Sequence, residues 1–83
     1  MEVAYSSLNA DRALAAEYAA AQVAEYWIID AEQRCIEVFR RPVEDSSAVF
    51  GFRYADVQVL KDGDDIAPAT RPQASTPVSS FFP

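Results

Sequence analysis

Glu25-Tyr26-Trp27-Ile28-Ile29-Asp30, EYWIID, places four consecutive large apolar residues between two acids. A run this short, rich in aromatic residues and isoleucine, suits a strand covered on both faces. The residues that follow, Ala31-Glu32-Gln33-Arg34, make a polar turn. The next stretch, RCIEVFR at 34–40, alternates: Ile36 and Val38 share one face, and Cys35, Glu37 and Phe39 share the other. Strand, short turn, strand predicts a β-hairpin. The acids Glu25 and Asp30 stand at opposite ends of their strand, too far apart for one metal ion. They read as cap and hairpin-turn contacts. Tyr26 and Trp27 could offer a stacking platform for bases, but aromatics inside an apolar run read first as core.

Upstream of this strand, Asp11 to Gln22 predicts a helix, with six alanines to favour it. Leu14, Tyr18 and Ala21 recur at helical spacing, with Ala15 alongside, and form one narrow apolar stripe. Ser7, Asn9 or Asp11 could cap its start. Met1 to Tyr5 reads as the end of a strand. Downstream, Pro42 to Ser47 is a loop, and Phe50 to Leu60 is a further strand whose alternation slips near Ala55, where a bulge is expected. KDGDD at 61–65 is a turn. From Ile66 onward the chain holds four prolines and two phenylalanines. This tail should run extended over the surface, held by Val78, Phe81 and Phe82.

Composition narrows the function. The chain has 83 residues, half of them apolar and a quarter charged, which is globular and bounds it to one domain, residues 1–83 with the extended tail at 66–83. A chain of this size buries only about 60% of its unfolded surface. No apolar run reaches the roughly 20 residues of a membrane span, and no basic, apolar leader is visible, so a cytoplasmic protein without membrane contact is expected. There is no histidine and a single cysteine. That removes intrachain disulfides, zinc sites of the Cys/His type and every Ser-His or Cys-His catalytic pair. The net charge of −6 argues against a free-standing DNA-binding module, because such affinity comes largely from neutralising phosphates. Metal-dependent nucleases escape this argument, since the metal supplies local positive charge.

Most polar clusters have simple structural readings. Asp62, Asp64 and Asp65 surround Gly63 without the ligand alternation or closing glutamate of an EF-hand, and read as a solvated turn. Cys35 reads as a small half-buried hydrophobe. Arg40-Arg41 could touch phosphate but more simply faces solvent. Glu2 is the acid of interest, because a carboxylate projecting from a strand toward a helix is where a metal could sit. One carboxylate alone is a poor site for a hard cation.

Taken together, EVAYSSLNADR, YAAAQVAEYWIID, IEVFRRP, DGDDIAP and the closing VSSFF resemble the Uma-type restriction endonuclease family, of the PD-(D/E)XK nuclease superfamily. The order of blocks agrees from Glu2 nearly to Phe82. The resemblance implies an α/β (α+β) fold: a partial restriction-endonuclease-like domain with one main helix packed on a mixed β-sheet and a C-terminal hairpin layer. It implies a Mg2+ or Mn2+ ion as cofactor and DNA as partner. Glu2 matches the family's strand glutamate, a metal-ligand carboxylate, and Asp11 and Arg12 match its Asp-Arg pair.

The departures matter as much. The family's lysine lies four residues before the tyrosine matched by Tyr18, and that position is Leu14 here. The interval from Asp11 to Tyr18 is one residue shorter than usual. Gly-Ile-Pro in the family's turn becomes Gln22-Val23-Ala24, which should weaken helix termination. The segment carrying the family's upstream aspartates has no counterpart. Lys61, the only lysine, sits in a distant turn, while Arg12 could hold phosphate. Such a lysine orients the attacking water or holds developing negative charge, a contribution worth orders of magnitude in rate. The expectation is a truncated relative that is catalytically inactive alone. Two alternatives are an active phosphodiester hydrolase completed by a partner chain or an upstream segment, and a non-catalytic interaction or dimerisation module. Loss of preceding strands would expose the edge at Met1–Tyr5 and favour a homodimer or a partner chain.

Overall fold

A computed structural model describes residues 2–5 and 8–82, with the side chains of residues 4, 5 and 8–12 outside the description. Strand β1 (Glu2–Tyr5) leads into helix α1 (Leu8–Ala20) and then strand β2 (Glu25–Asp30). Strands β3 (Cys35–Glu44) and β4 (Phe52–Lys61) complete a four-stranded sheet in the order β1-β2-β3-β4. β1 runs parallel to β2, while β2–β3 and β3–β4 are antiparallel. The parallel pair needs the helical crossover, and the antiparallel pairs need only turns. A small second sheet, β5 (Asp65–Ile66) with β6 (Thr76–Pro77), precedes a 3-10 turn at Val78–Phe81. This is the expected α+β fold: one helix on a mixed sheet.

EYWIID is buried at all six positions because it is covered from both sides. On one side Tyr26 and Ile28 join Phe39, Tyr54 and the small helix residues Ala15 and Ala19. On the other, Trp27 and Ile29 join Ile36, Val38 and three tail residues, Ile66, Val78 and Phe82. The layers are therefore helix, sheet, tail. Alanines at 15 and 19 let the helix lie close to the sheet, and Tyr18 supplies bulk with its ring 4.8 Å from that of Tyr26. Phe81 meets Trp27 edge-on at 6.3 Å. The tail does hold the sheet through Val78, Phe81 and Phe82, although it folds into a turn and a two-residue ladder rather than running fully extended.

Several boundaries differ from the sequence reading, each for a physical reason. The helix begins at Leu8 rather than Asp11, so Asp11 lies inside it; Ser7 lies outside the described residues. The stripe facing the sheet is Ala15 and Ala19, both buried, with Tyr18 partly buried against them, not Leu14, Tyr18 and Ala21: Leu14 is 38% exposed and Ala21 is exposed. β3 continues past Pro42 to Glu44. Beyond Arg40 its β2 side has no ladder partner among the described residues, and a proline is tolerated where a strand is one-sided. No bulge forms at Ala55. The ladder passes from Arg40↔Asp56 to Pro42↔Tyr54 with one residue on each strand between, and the alternation shifts where Arg41 takes φ 59°.

The helix also stops cleanly without the family's glycine. The Val23 amide donates to the Tyr18 carbonyl at 3.0 Å and the Gln22 amide to the Ala19 carbonyl at 2.9 Å. These two bonds make a Schellman end with Gln22 in the left-handed position, φ 58°. The tyrosine hydroxyl of Tyr54 donates to the Val23 carbonyl at 2.7 Å and fixes the exit. A left-handed glutamine costs roughly 1 kcal/mol that a glycine would not. Gln22→Gly should therefore raise stability by roughly 1 kcal/mol, read as a rise of several degrees in thermal midpoint; an unchanged or lower midpoint would count against the strain.

Candidate active site

Glu2 opens β1 on the outer edge of the sheet, with Tyr26 as its Cα partner. Neighbouring positions of a ladder share a face, so Glu2 lies on the helix side. It is exposed to solvent. Asp11 and Arg12 fall in the first half of α1; their side chains lie outside the description. Leu14, which the sequence resemblance sets against a lysine, is one turn before Tyr18, whose ring contacts that of Tyr26 beside Glu2. The helix that carries Leu14 and the strand residue Glu2 thus lie on the same side of the sheet. Leu14 does not pack into the stripe as the sequence suggested, but remains open to solvent.

The best-organised polar group lies elsewhere, at Glu25. Its Oε2 accepts from Trp27 Nε1 at 2.8 Å and from Arg40 Nε at 2.6 Å, and its Oε1 accepts from the Ala69 amide at 3.1 Å. Arg40 also donates through Nη2 to the Ala67 carbonyl at 2.6 Å. One carboxylate thereby joins β2, β3 and the tail. Burial of the Glu25 carboxyl pushes its pKa up, but the hydrogen bonds from Trp27, Ala69 and Arg40 and the Arg40 charge outweigh burial and hold it below the usual carboxylate value. The sequence reading took Glu25 for a cap and Arg40 for a solvent-facing cation. Their partners sit 15 and 44 residues away from Glu25, beyond the reach of local pattern.

The remaining charges are structural in their placement. Asp30 Oδ1 accepts from the amides of Glu32 and Gln33, the hairpin-turn contact expected of it. Asp64 accepts from the Lys61 amide at 2.9 Å, and Asp62 pairs with Arg34 at 3.0 Å, so the 61–65 segment is a turn. Arg34 also lies over the Phe82 ring at 5.2 Å. Arg41 holds Asp56 through two nitrogens at the surface. Tyr26 and Trp27 are core, not a stacking platform. Cys35 and Glu37 are buried; sequence reasoning did not single out Glu37, whose alternating strand pattern carries no sign of its burial.

Residues 1–79 match the Uma2 family, described as "Putative restriction endonuclease". The chain belongs to this family. No match was found among curated proteins or among solved structures. Restriction endonucleases generally use divalent metal ions, so the Uma2 assignment poses a direct question of donors. Among the described residues, no three His, Cys, Asp or Glu side chains come together. Glu2 offers one carboxylate where a hard cation takes six or more oxygens. The described donors do not fit a divalent ion without further ligands. Nor is any described helix of this Uma2 chain long and apolar enough to cross a membrane.

The Glu25 network gives a pH prediction. A carboxyl whose folded pKa is depressed adds stability above its unfolded pKa and loses it as pH falls toward the folded value. Wild-type stability should decline from about pH 5 downward. Glu25→Gln should be less stable at neutral pH and show a flatter decline. Parallel urea titrations from neutral to acid pH would reveal this, and identical slopes would exclude Glu25 as a source.

Proposed function

We propose that this chain is a scaffold member of the Uma2 family that does not hydrolyse phosphodiesters by itself. The observation that carries the reading is Leu14: an exposed apolar side chain stands where the family's lysine would face the Glu2 side of the sheet. No amine replaces it nearby in sequence, and Lys61 lies at the end of β4. Glu2, Asp11 and Arg12 keep the family's positions by resemblance. Without the lysine they lack the amine that would orient the attacking water, and Arg12, which could hold phosphate, is no obvious substitute for it.

A second reading, supported by the open outer edge of β1, keeps the enzyme. β1 has one ladder partner, β2, among the described residues. A strand from an upstream segment or a partner chain could add there and bring further carboxylates to Glu2. The two readings separate in a plasmid-nicking assay with Mg2+ or Mn2+ on wild type and Glu2→Ala. No nicking by either protein is expected. Nicking by wild type that disappears in Glu2→Ala would overturn the scaffold reading and favour the completed enzyme.

Leu14→Lys tests whether the position is free to carry the family's residue. Because Leu14 is partly exposed, the substitution should change stability by no more than about 0.5 kcal/mol. A loss of several kcal/mol in urea unfolding would show that the helix had been rebuilt around the leucine.

A further inference from the structure

β4 closes the sheet on the side opposite β1, and its outer backbone edge has no ladder partner among the described residues. Edge strands usually avoid pairing by being short, by carrying proline or a bulge, by pointing charge into the contact, or by being covered. β4 uses few of these devices. It is ten residues long, has no proline, and keeps one register against β3 from end to end. Asp56, Val57, Gln58 and Val59 are all exposed, although they lie in the middle of a ladder. The one acid there, Asp56, is neutralised by Arg41. Val57 and Val59 point to the helix side, 52% and 50% exposed, and continue the apolar surface of Phe39, Phe52 and Tyr54 beside Ala15 and Ala16.

We propose that this edge takes a second copy of the chain, forming a two-fold antiparallel dimer through β4. The strand is suited to itself. With Gln58 at the axis, Val57 of each copy lies opposite Val59 of the other, and four valines close into one apolar patch on the helix side. On the opposite face the two Gln58 amides, each both donor and acceptor, meet. The chain as a whole carries −6, which opposes self-association, but Phe52–Lys61 holds Arg53 and Lys61 against Asp56 and is close to neutral. β1 is the weaker site for a second copy, being four residues long and starting with Glu2. The dimer is independent of whether the chain cleaves DNA.

Sedimentation velocity over a concentration series tests this with the full chain. Wild type should pass from monomer to dimer. Val57→Lys with Val59→Lys, which sets like charges opposite each other, should weaken the dimer by at least about tenfold while circular dichroism stays native. In a Cys35→Ala background, Gln58→Cys should give a covalent dimer with a short bis-maleimide linker, and Val3→Cys should not. A wild type that remains monomeric at every concentration would overturn the proposal. So would a dimer indifferent to the two lysines, or one that crosslinks through position 3 instead.

Discussion

The carboxylate of Glu25 is the point on which the layered structure depends. β2 is buried on both faces, yet the tail that covers one face has little regular structure of its own. Its ladder is two residues per strand, and its apolar anchors are few. Short segments of this kind do not repay the entropy of ordering through burial alone. Glu25 and Arg40 supply fixed polar partners at Ala69 and Ala67, just where the tail leaves β5. Trp27, which forms the floor for Phe81, is oriented by the same carboxylate. Removing either charge would leave a buried carboxylate or a partly buried guanidinium without its counter-charge, the situation in which a buried ion pair costs most.

The apolar pattern was readable because it is local. EYWIID as a doubly covered strand, the hairpin after it, and the assignment of Ile36 and Val38 to one face all follow from a period of two over a few residues. The helix was placed correctly in kind but rotated in face, since an alanine-rich segment gives little contrast between stripes. Ala15 and Ala19 are chosen by close approach to the sheet, and Leu14 is left outside. What could not be read were long-range partners. Nothing adjacent to Glu25 announces Arg40 or Ala69, and nothing around Gln22 announces that a glutamine accepts a left-handed turn. The candidate site was legible only through the family's block pattern, because Glu2 alone carries no physical signature of function.

The four-stranded sheet has two outer strands of different character, β1 and β4. Glu2 and the position of Leu14 lie toward β1, where another strand could join. β4, at the far side, presents an apolar edge that matches itself. The Glu25 network lies between them and belongs to neither. Its acid is saturated by three donors and turned toward the tail, which makes it an organiser of the fold rather than a ligand or a general base.

That assignment is tested most directly by a double-mutant cycle in urea on Glu25→Gln and Arg40→Met, with amide exchange at Ala69 as a second readout. A structural pair predicts single variants that lose roughly 3 kcal/mol, a coupling above roughly 1 kcal/mol, and lost protection at Ala69. Single variants as stable as wild type, with negligible coupling and Ala69 still protected, would contradict it.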